Sequence, residues 1–310
     1  MVSGGALLEW FGCATFRLRT AEGLIVFLDA YLDRAPSATQ SGLSPEDVED
    51  ADWILVGHSH FDHLYGAERL APRTGASVVG SYETTRVLAN AGVDQDQLLA
   101  VSGGERIELD KHTSVRVLPG LHACAWSDHA IPPLDEPCVG ELGVAWHERT
   151  RRLEQNFWPA LGRLAPDIRE HVDHASVLGE RGDGGVLTYV LDTSEGSLLF
   201  QDTVGGWSAL LTREHADVAI LAAAGRGNLD GEPVQCSTAE FVARQATWLG
   251  AGRVVPCHHD DWLPGLSRPT ETTPLHDALA RTGSPAAVLD LEHAVPTQLF
   301  PASCASQQAT

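Results

Sequence analysis

Three histidines and one aspartate crowd into six consecutive positions, His58, His60, Asp62 and His63, within Gly57-His58-Ser59-His60-Phe61-Asp62-His63. Imidazole and carboxylate are the donors that zinc and its first-row neighbours take. Packing a core gives no reason to gather four such groups, since buried polar groups without partners are costly. Four donors cannot complete two tetrahedral sites, so further donors are to be sought where apolar strands give way to loops. Three positions meet that condition. His122 follows Leu118-Pro119-Gly120, Asp202 follows Leu198-Leu199-Phe200-Gln201, and His258 follows Val254-Val255-Pro256-Cys257. Taken alone, each has a plainer explanation: a hydrogen-bonded histidine, or an aspartate forming a turn. Their shared position beside strand ends is what sets them apart.

The elements that must hold these residues can be read from local pattern. Trp53 to Val56 is an apolar run of strand length, ended by Gly57. His58 and His60 alternate in extended backbone and so point the same way. Leu64, Ala67, Glu68 and Leu70 have helical spacing, which predicts strand, donor-rich turn, then one helix. Upstream, Leu7–Phe11, Ala14–Arg19 and Leu24–Asp29 read as strands around a turn at Ala21-Glu22-Gly23. An acidic helix capped by Ser44, a strand at Ser77–Gly80 and a helix from Tyr82 to Ala91 closed by Gly92 follow. Arg106–Leu109 and Ser114–Leu118 suggest a meander. Residues 125–183 break the rhythm, being rich in Trp, His and charge, and close on the flexible run Gly179–Gly185. Strands then resume at Val186–Leu191, Ser197–Gln201, Ala216–Ala222, Arg253–His259, Ala287–Leu291 and Thr297–Phe300. A helix from Thr238 to Leu249, capped by Ser237 or Thr238, lies among them. Strands in runs with helices between some of them indicate a layered α/β or α+β sandwich. The whole chain reads as one domain, 1–310, with the segment at about 125–183 as an insertion too short for a core of its own.

Composition limits the partners. The chain has 310 residues, a formal net charge of -21, 43% hydrophobic and 20% charged residues, as in a soluble globular protein. Such acidity repels nucleic acid and anionic lipid unless a basic patch is concentrated somewhere. The nearest candidate, Arg149-Thr150-Arg151-Arg152, is short enough to be a solvated helix face. No apolar run approaches the roughly 20 residues of a membrane helix. The six cysteines are scattered, and the N-terminus has no secretory pattern, so reduced thiols and a cytoplasmic location are expected.

The pattern His58-x-His60-x-Asp62-His63, followed in order by His122, Asp202 and His258, resembles the metallo-β-lactamase superfamily. Glu9-Trp10-Phe11-Gly12-Cys13-Ala14-Thr15-Phe16 and Phe27-Leu28-Asp29-Ala30-Tyr31-Leu32 resemble the first strands of its lactonase-like branch, near the ascorbate-6-phosphate lactonases. That resemblance implies a four-layer αββα sandwich with a partly helical insertion that forms a lid or pocket wall. It implies two metals, zinc before manganese or iron. His58, His60 and His122 would hold the first, and Asp62, His63 and His258 the second. Asp202 would bridge them together with a water or hydroxide. The family's Pro-x-His pattern selects His258 over the adjacent His259. Asp62 and Asp202 would be the catalytic carboxylates, Asp62 orienting the second metal and the nucleophile. Where related chains often carry a Pro-x-Gly-Gly type loop, this one has Ala222-Ala223-Ala224-Gly225-Arg226-Gly227-Asn228, and Arg226 there is either a surface arginine or an anion contact.

A metal-bridging hydroxide would then attack a lactone, ester or amide of a small-molecule substrate. The leaving group could be assisted by a metal or by a histidine of the insertion such as His129. Three alternatives remain open: a phosphodiesterase, an iron-dependent redox member, and a non-catalytic metal-stabilised binding protein. No nucleic-acid or membrane partner is expected, and a homo-oligomer is compatible with the sequence. Trp126, Trp146 and Trp158 would wall a pocket or form the insertion's own small core. Cys257, turned away from His258 by strand alternation, would be a buried hydrophobe.

Overall fold

Val26 and Leu28 face one way from their strand while Ile25 and Phe27 face the other, yet all four are buried. A strand that is apolar on both faces must be covered twice. The computed structural model describes residues 5–127, 131–176 and 183–300 and shows what covers it. His129, the Gly179–Gly182 part of the expected connection and Cys304 lie outside the described residues.

Through the first half of the chain run β1 (Leu7–Trp10), β2 (Phe16–Arg19), β3 (Ile25–Leu28), β4 (Trp53–Leu55), α1 (Phe61–Leu64), α2 (Ala67–Thr74), β5 (Ser77–Gly80), α3 (Tyr82–Asn90) and β6 (Leu98–Ala100). Next come β7 (Arg106–Glu108), β8 (Ser114–Pro119), α4 (Trp146–Arg152), α5 (Trp158–Leu161) and α6 (Pro166–Ala175). The rest comprises β9 (Leu187–Asp192), β10 (Ser197–Gln201), β11 (Gly205–Gly206), α7 (Ser208–Leu211), β12 (Val218–Ala222), β13 (Asn228–Leu229) and β14 (Glu232–Pro233). It closes with α8 (Thr238–Leu249), β15 (Arg253–Cys257), α9 (Thr273–Thr282), β16 (Ala287–Val288) and β17 (Thr297–Gln298).

One seven-stranded sheet has the order β17-β1-β2-β3-β4-β5-β6, a second has the order β16-β15-β12-β10-β9-β8-β7, and β11-β13-β14 form a small third sheet. Each seven-stranded sheet is antiparallel over one half and parallel over the other. The inner faces share one core: Phe16, Leu18, Val26, Leu28 and Leu55 with Tyr189, Leu191, Phe200, Ile220 and Val255. The outer faces pack on helices, Ile54 and Val78 against Leu70, Val87 and Leu88, and Leu199 and Val254 against Val242, Ala246 and Leu279. The order is helix, sheet, sheet, helix, the expected four-layer αββα architecture. Cys257 is buried between the sheets, as its alternation implies.

Helix ends follow their sequence signals. Ser237 and Glu240 form a reciprocal capping box on α8, and Ser81 caps α3 by accepting from Thr84 N. Two expectations change. The acidic helix near Ser44 is a single 3-10 turn, Pro45–Asp47, and the Ser44 side chain bonds Glu46 Oε2 at 3.1 Å instead of capping the turn's backbone. The helix after the histidine cluster is split into α1 and α2 at Gly66, which has φ +120° and no room for a side chain: a Cβ there would lie 2.3 Å from Ala30 O. Only glycine takes that conformation against that carbonyl.

β8 and β9 pair directly through six residue pairs from Ser114↔Asp192 to Pro119↔Leu187. The intervening segment, expected to be an insertion, therefore leaves and returns at one point of the second sheet. Its helix changes register to a π turn over Leu153–Phe157, just before Pro159, which has no N–H for the ordinary bond.

Candidate metal centre

The donor-rich turn lies at the end of β4, where the parallel half of the first sheet meets the rim of the second. Gly57 hands the chain to His58 in a space no other residue fits, because a Cβ there would lie 2.1 Å from Asp202 Oδ2. His60 precedes α1 as its N-cap residue, in extended backbone, so Asp62 and His63 fall in the first helical turn. Leu187 N and Ser59 N clamp the turn from outside by donating to Gly57 O (2.8 Å) and Asp183 O (3.0 Å). His122 is held by its own carbonyl, which accepts from Asn228 Nδ2 at 2.7 Å. His258 follows β15 in a left-handed conformation, φ 64°, with its N–H donating to Cys13 O at 2.8 Å.

All seven candidate donors converge: His58–His60–His122 and Asp62–His63–His258 form two triads, and Asp202 groups with His58 and His63, one ring of each. In the second, Asp62 Oδ2 lies 3.4 Å from His63 Nε2 and 3.3 Å from His258 Nε2. Donors at about 2.0–2.1 Å from a tetrahedral cation are about 3.4 Å apart, so these edges have the right length. His259 is elsewhere, stacked on Trp10 with ring centroids 4.7 Å apart. Asp202, expected between the triads, meets one ring of each at its Nδ1 nitrogen. Its Oδ2 accepts from His58 Nδ1 at 2.6 Å and lies 3.3 Å from His63 Nδ1, while its buried Oδ1 has no partner.

Asp29 has the same relation to His63, accepting from Nδ1 at 2.7 Å and from Gly57 N at 2.8 Å. His122 Nδ1 is bonded to Ala123 O at 2.9 Å. With Nδ1 committed as a donor, the neutral rings of His58 and His122 present a bare Nε2 lone pair, and His63 would present one where a cation takes the place of its Nε2 proton. His58 Nε2 then lies 3.0 Å from His60 Nδ1, and His63 Nε2 faces a carboxylate oxygen. A donor turned outward to a carboxylate or carbonyl and a lone pair turned inward is the arrangement of metal-ligating histidines. Asp29 carries no spacing signal; the only hint was its place at the end of β3, parallel to β4.

The electrostatics agree. Burial pushes His58 down to about 4, helped by the charge on His63, while Asp202 opposes. Burial, then His58 and His122, hold His60 well below its ordinary value. Burial would lower His63 too, but Asp62, Asp202 and Asp29 outweigh it and hold that ring well above. Burial would raise Asp62, yet His63 and His258 keep it well below the usual carboxylate range. Burial pushes Asp29 up to about 7. Three buried carboxylates thus surround one chargeable ring, an excess of negative charge that a cation would offset. The donor set and the unpartnered Asp202 Oδ1 fit metal ions.

A cavity of about 140 Å³ opens on both triads. One wall is polar: His60, Asp62, His63, His122 and His258. The other is apolar, with Phe157, Trp158, Leu161 and Val172 from the insertion and Trp262 and Leu266 from the loop after β15. Arg226 also lines it. The insertion's tryptophans divide their roles: Trp158 faces the cavity, Trp126 packs with Cys124, Val144 and Leu153, and Trp146 is exposed. The basic run is spent on acidic neighbours, Arg149 on Glu232, Arg151 on Glu148 and Arg152 on Glu141.

Comparison with known proteins gives the class. The profile of the beta-lactamase superfamily domain matches residues 25–178. A metal-dependent hydrolase of Roseiflexus sp. (strain RS-1) is 34% identical over 124 residues, 40% of this chain and 50% of that one. Another from Pyrobaculum calidifontis is 35% identical over 117 residues, 37% of this chain and 50% of that one. The chain therefore spans about half the length of the curated relatives it matches. A metallo hydrolase from Ignicoccus hospitalis superposes with TM-score 0.59 at 14% identity, over 94% of this chain and 97% of that one. An isothiocyanate hydrolase from Delia radicum gut bacteria gives 0.57 at 11%, over 95% and 99%. This chain belongs to the metallo-β-lactamase superfamily.

Proposed function

We propose that the protein is a metal-dependent hydrolase that cleaves a lactone, ester or amide in a small, largely apolar substrate. The observation that carries this is a cavity onto which both donor triads open and whose remaining lining is largely hydrocarbon and aromatic. His58, His60 and His122 would hold one cation, and Asp62, His63 and His258 the other, with zinc the metal that all-nitrogen/oxygen donor sets suit best. Divalent cations held there would supply a bound water with a pKa of roughly 7 and a Lewis acid for a substrate oxygen.

The chain's own residues supply the rest. Asp202 and Asp29 fix the rings of His58 and His63, and Asp62 sets the second triad. Phe157, Trp158, Leu161 and Trp262 exclude water and grip the apolar body of the substrate, which strengthens every charge interaction in the cavity. The substrate is a small molecule and not a polynucleotide, a reading supported by the net charge of -21 and by the paired state of the one basic run. No helix among the described residues is long and apolar enough to cross a membrane. Free thiols at Cys13, Cys124, Cys138, Cys236 and Cys257 suit the reducing cytoplasm.

The test is metal analysis followed by turnover. Purified protein should carry close to two zinc-like ions per chain and hydrolyse generic lactones or aryl esters in preference to bis-aryl phosphates. Asp62→Ala should stay folded and lose turnover by about 10³-fold, the worth of several kcal/mol of transition-state stabilisation. Full turnover by that variant would overturn the proposal.

A further inference from the structure

The second triad has a fourth neighbour, one to which the sequence assigned no ligand role. Cys13 Sγ lies within 4.8 Å of the donor atoms of Asp62, His63 and His258. We infer that Cys13 is a protein ligand of the second metal, completing a Cys–Asp–His–His set; this rests on the metal-site reading above.

Several independent features hold the thiol there. Cys13 is fully buried and is no part of the cavity lining, whereas its three companions all face the cavity, so the sulfur approaches from the opposite side. Its backbone is fixed at both ends. Cys13 N donates to Asp260 Oδ1 at 2.8 Å, and Cys13 O accepts from His258 N at 2.8 Å and Trp10 Nε1 at 3.0 Å. Asp260 is itself anchored by Arg34 Nη1 at 2.7 Å in a buried ion pair. Cys13 is also kept at φ 48°, a region a non-glycine residue enters only when its surroundings impose it. The thiol proton points at Asp62 O, 3.5 Å away, a weak bond that costs little to give up.

On ligation the S–H bond breaks, the sulfur bonds to the cation and the proton leaves to solvent; nothing is oxidised or reduced. Burial holds the free thiol well above its ordinary pKa, with Asp62 and Asp260 adding to the effect, so deprotonation has to accompany the cation. Two consequences follow. A thiolate selects zinc over manganese at the second site. It also makes the two sites unequal: four protein donors at the second and three at the first, His58–His60–His122, which keeps the open position.

The test uses the full chain loaded with cobalt(II). The expected result is two cobalt ions per chain and a sulfur-to-cobalt charge-transfer band in the near ultraviolet. That band should disappear in Cys13→Ser and in Cys13→Gly, the latter relieving the left-handed backbone, and persist in Cys236→Ser. Two bound cobalt ions with no such band, or a band that survives both Cys13 variants, overturns the inference alone. Failure of the wild-type chain to bind cobalt or zinc at all overturns the metal-site reading and takes this inference with it.

Discussion

The two walls of the cavity are built on opposite plans. The polar wall comes from strand ends, and three rings of the donor cluster are fixed by a partner behind them: His58 by Asp202, His63 by Asp29, His122 by Ala123 O. The apolar wall comes from an insertion whose helix is interrupted by a π turn and whose cavity-facing residues, Phe157, Trp158, Leu161 and Val172, present hydrocarbon and aromatic surface. Directional bonds fix a ring to within tenths of an ångström, which ligation requires. Dispersion and area burial are non-directional and tolerate a different side chain of similar volume. On the proposed function, chemistry would reside in the wall held by directional bonds, and substrate choice in the wall that can be rebuilt without touching the first.

Four experiments would break or sharpen that contrast. The largest effect is expected from Gly66→Ala, which forces a Cβ against Ala30 O and strains a φ of +120° at the end of the donor-rich turn. Stability should fall by about 2–4 kcal/mol, measured by denaturant unfolding, and metal content should fall with it. An unchanged midpoint would mean the turn is not held as described. Asp29→Asn keeps an acceptor and tolerates the residue's φ of 54°, but removes the charge behind His63. Metal affinity should weaken by about 10–100-fold with the fold intact, read by competition with a chelator.

Across the cavity, Trp158→Ala should raise KM by about 10-fold and leave kcat nearly unchanged, because it removes binding shared by substrate and transition state. An equal loss in kcat would make the apolar wall part of the chemistry. The smallest effect is a pH dependence in the insertion's attachment. His171 on α6 bonds Tyr31 Oη at 2.8 Å and is lowered chiefly by burial, with His174 and Arg34 adding and Asp33 opposing. A folded-state value below the ordinary one, about 6.5, favours the neutral ring. Its contribution is therefore present above that value and lost as pH falls through the folded value. Limited proteolysis of the insertion should accelerate on acidification below about pH 6.5, and His171→Phe should flatten the response.

Much of this molecule is written locally. The β-branched runs, the Ser237–Glu240 cap and the donor-rich turn depend on residues a few positions apart, so their pattern survives in one dimension. Gly66 was legible as a residue but not as a break, because its conformation is dictated by the carbonyl of Ala30, 36 positions earlier. Asp29 and Cys13 were passed over for the same kind of reason. Their roles come from β3 lying parallel to β4 and from the Cys13 turn touching the end of β15, pairings no spacing rule encodes.

By itself, then, the sequence determined which side chains could ligate a cation and which segments form strands and helices, since both follow from residue type and short-range period. The tertiary structure agrees that His258 and not His259 faces the cluster, and it alone decided that Asp202 turns to the Nδ1 side of His58 and that Cys13 lies beneath the second triad. Those choices are set by left-handed backbone at two strand ends and by hydrogen bonds between residues up to 247 positions apart. Such bonds form only once the two sheets have closed on their shared core.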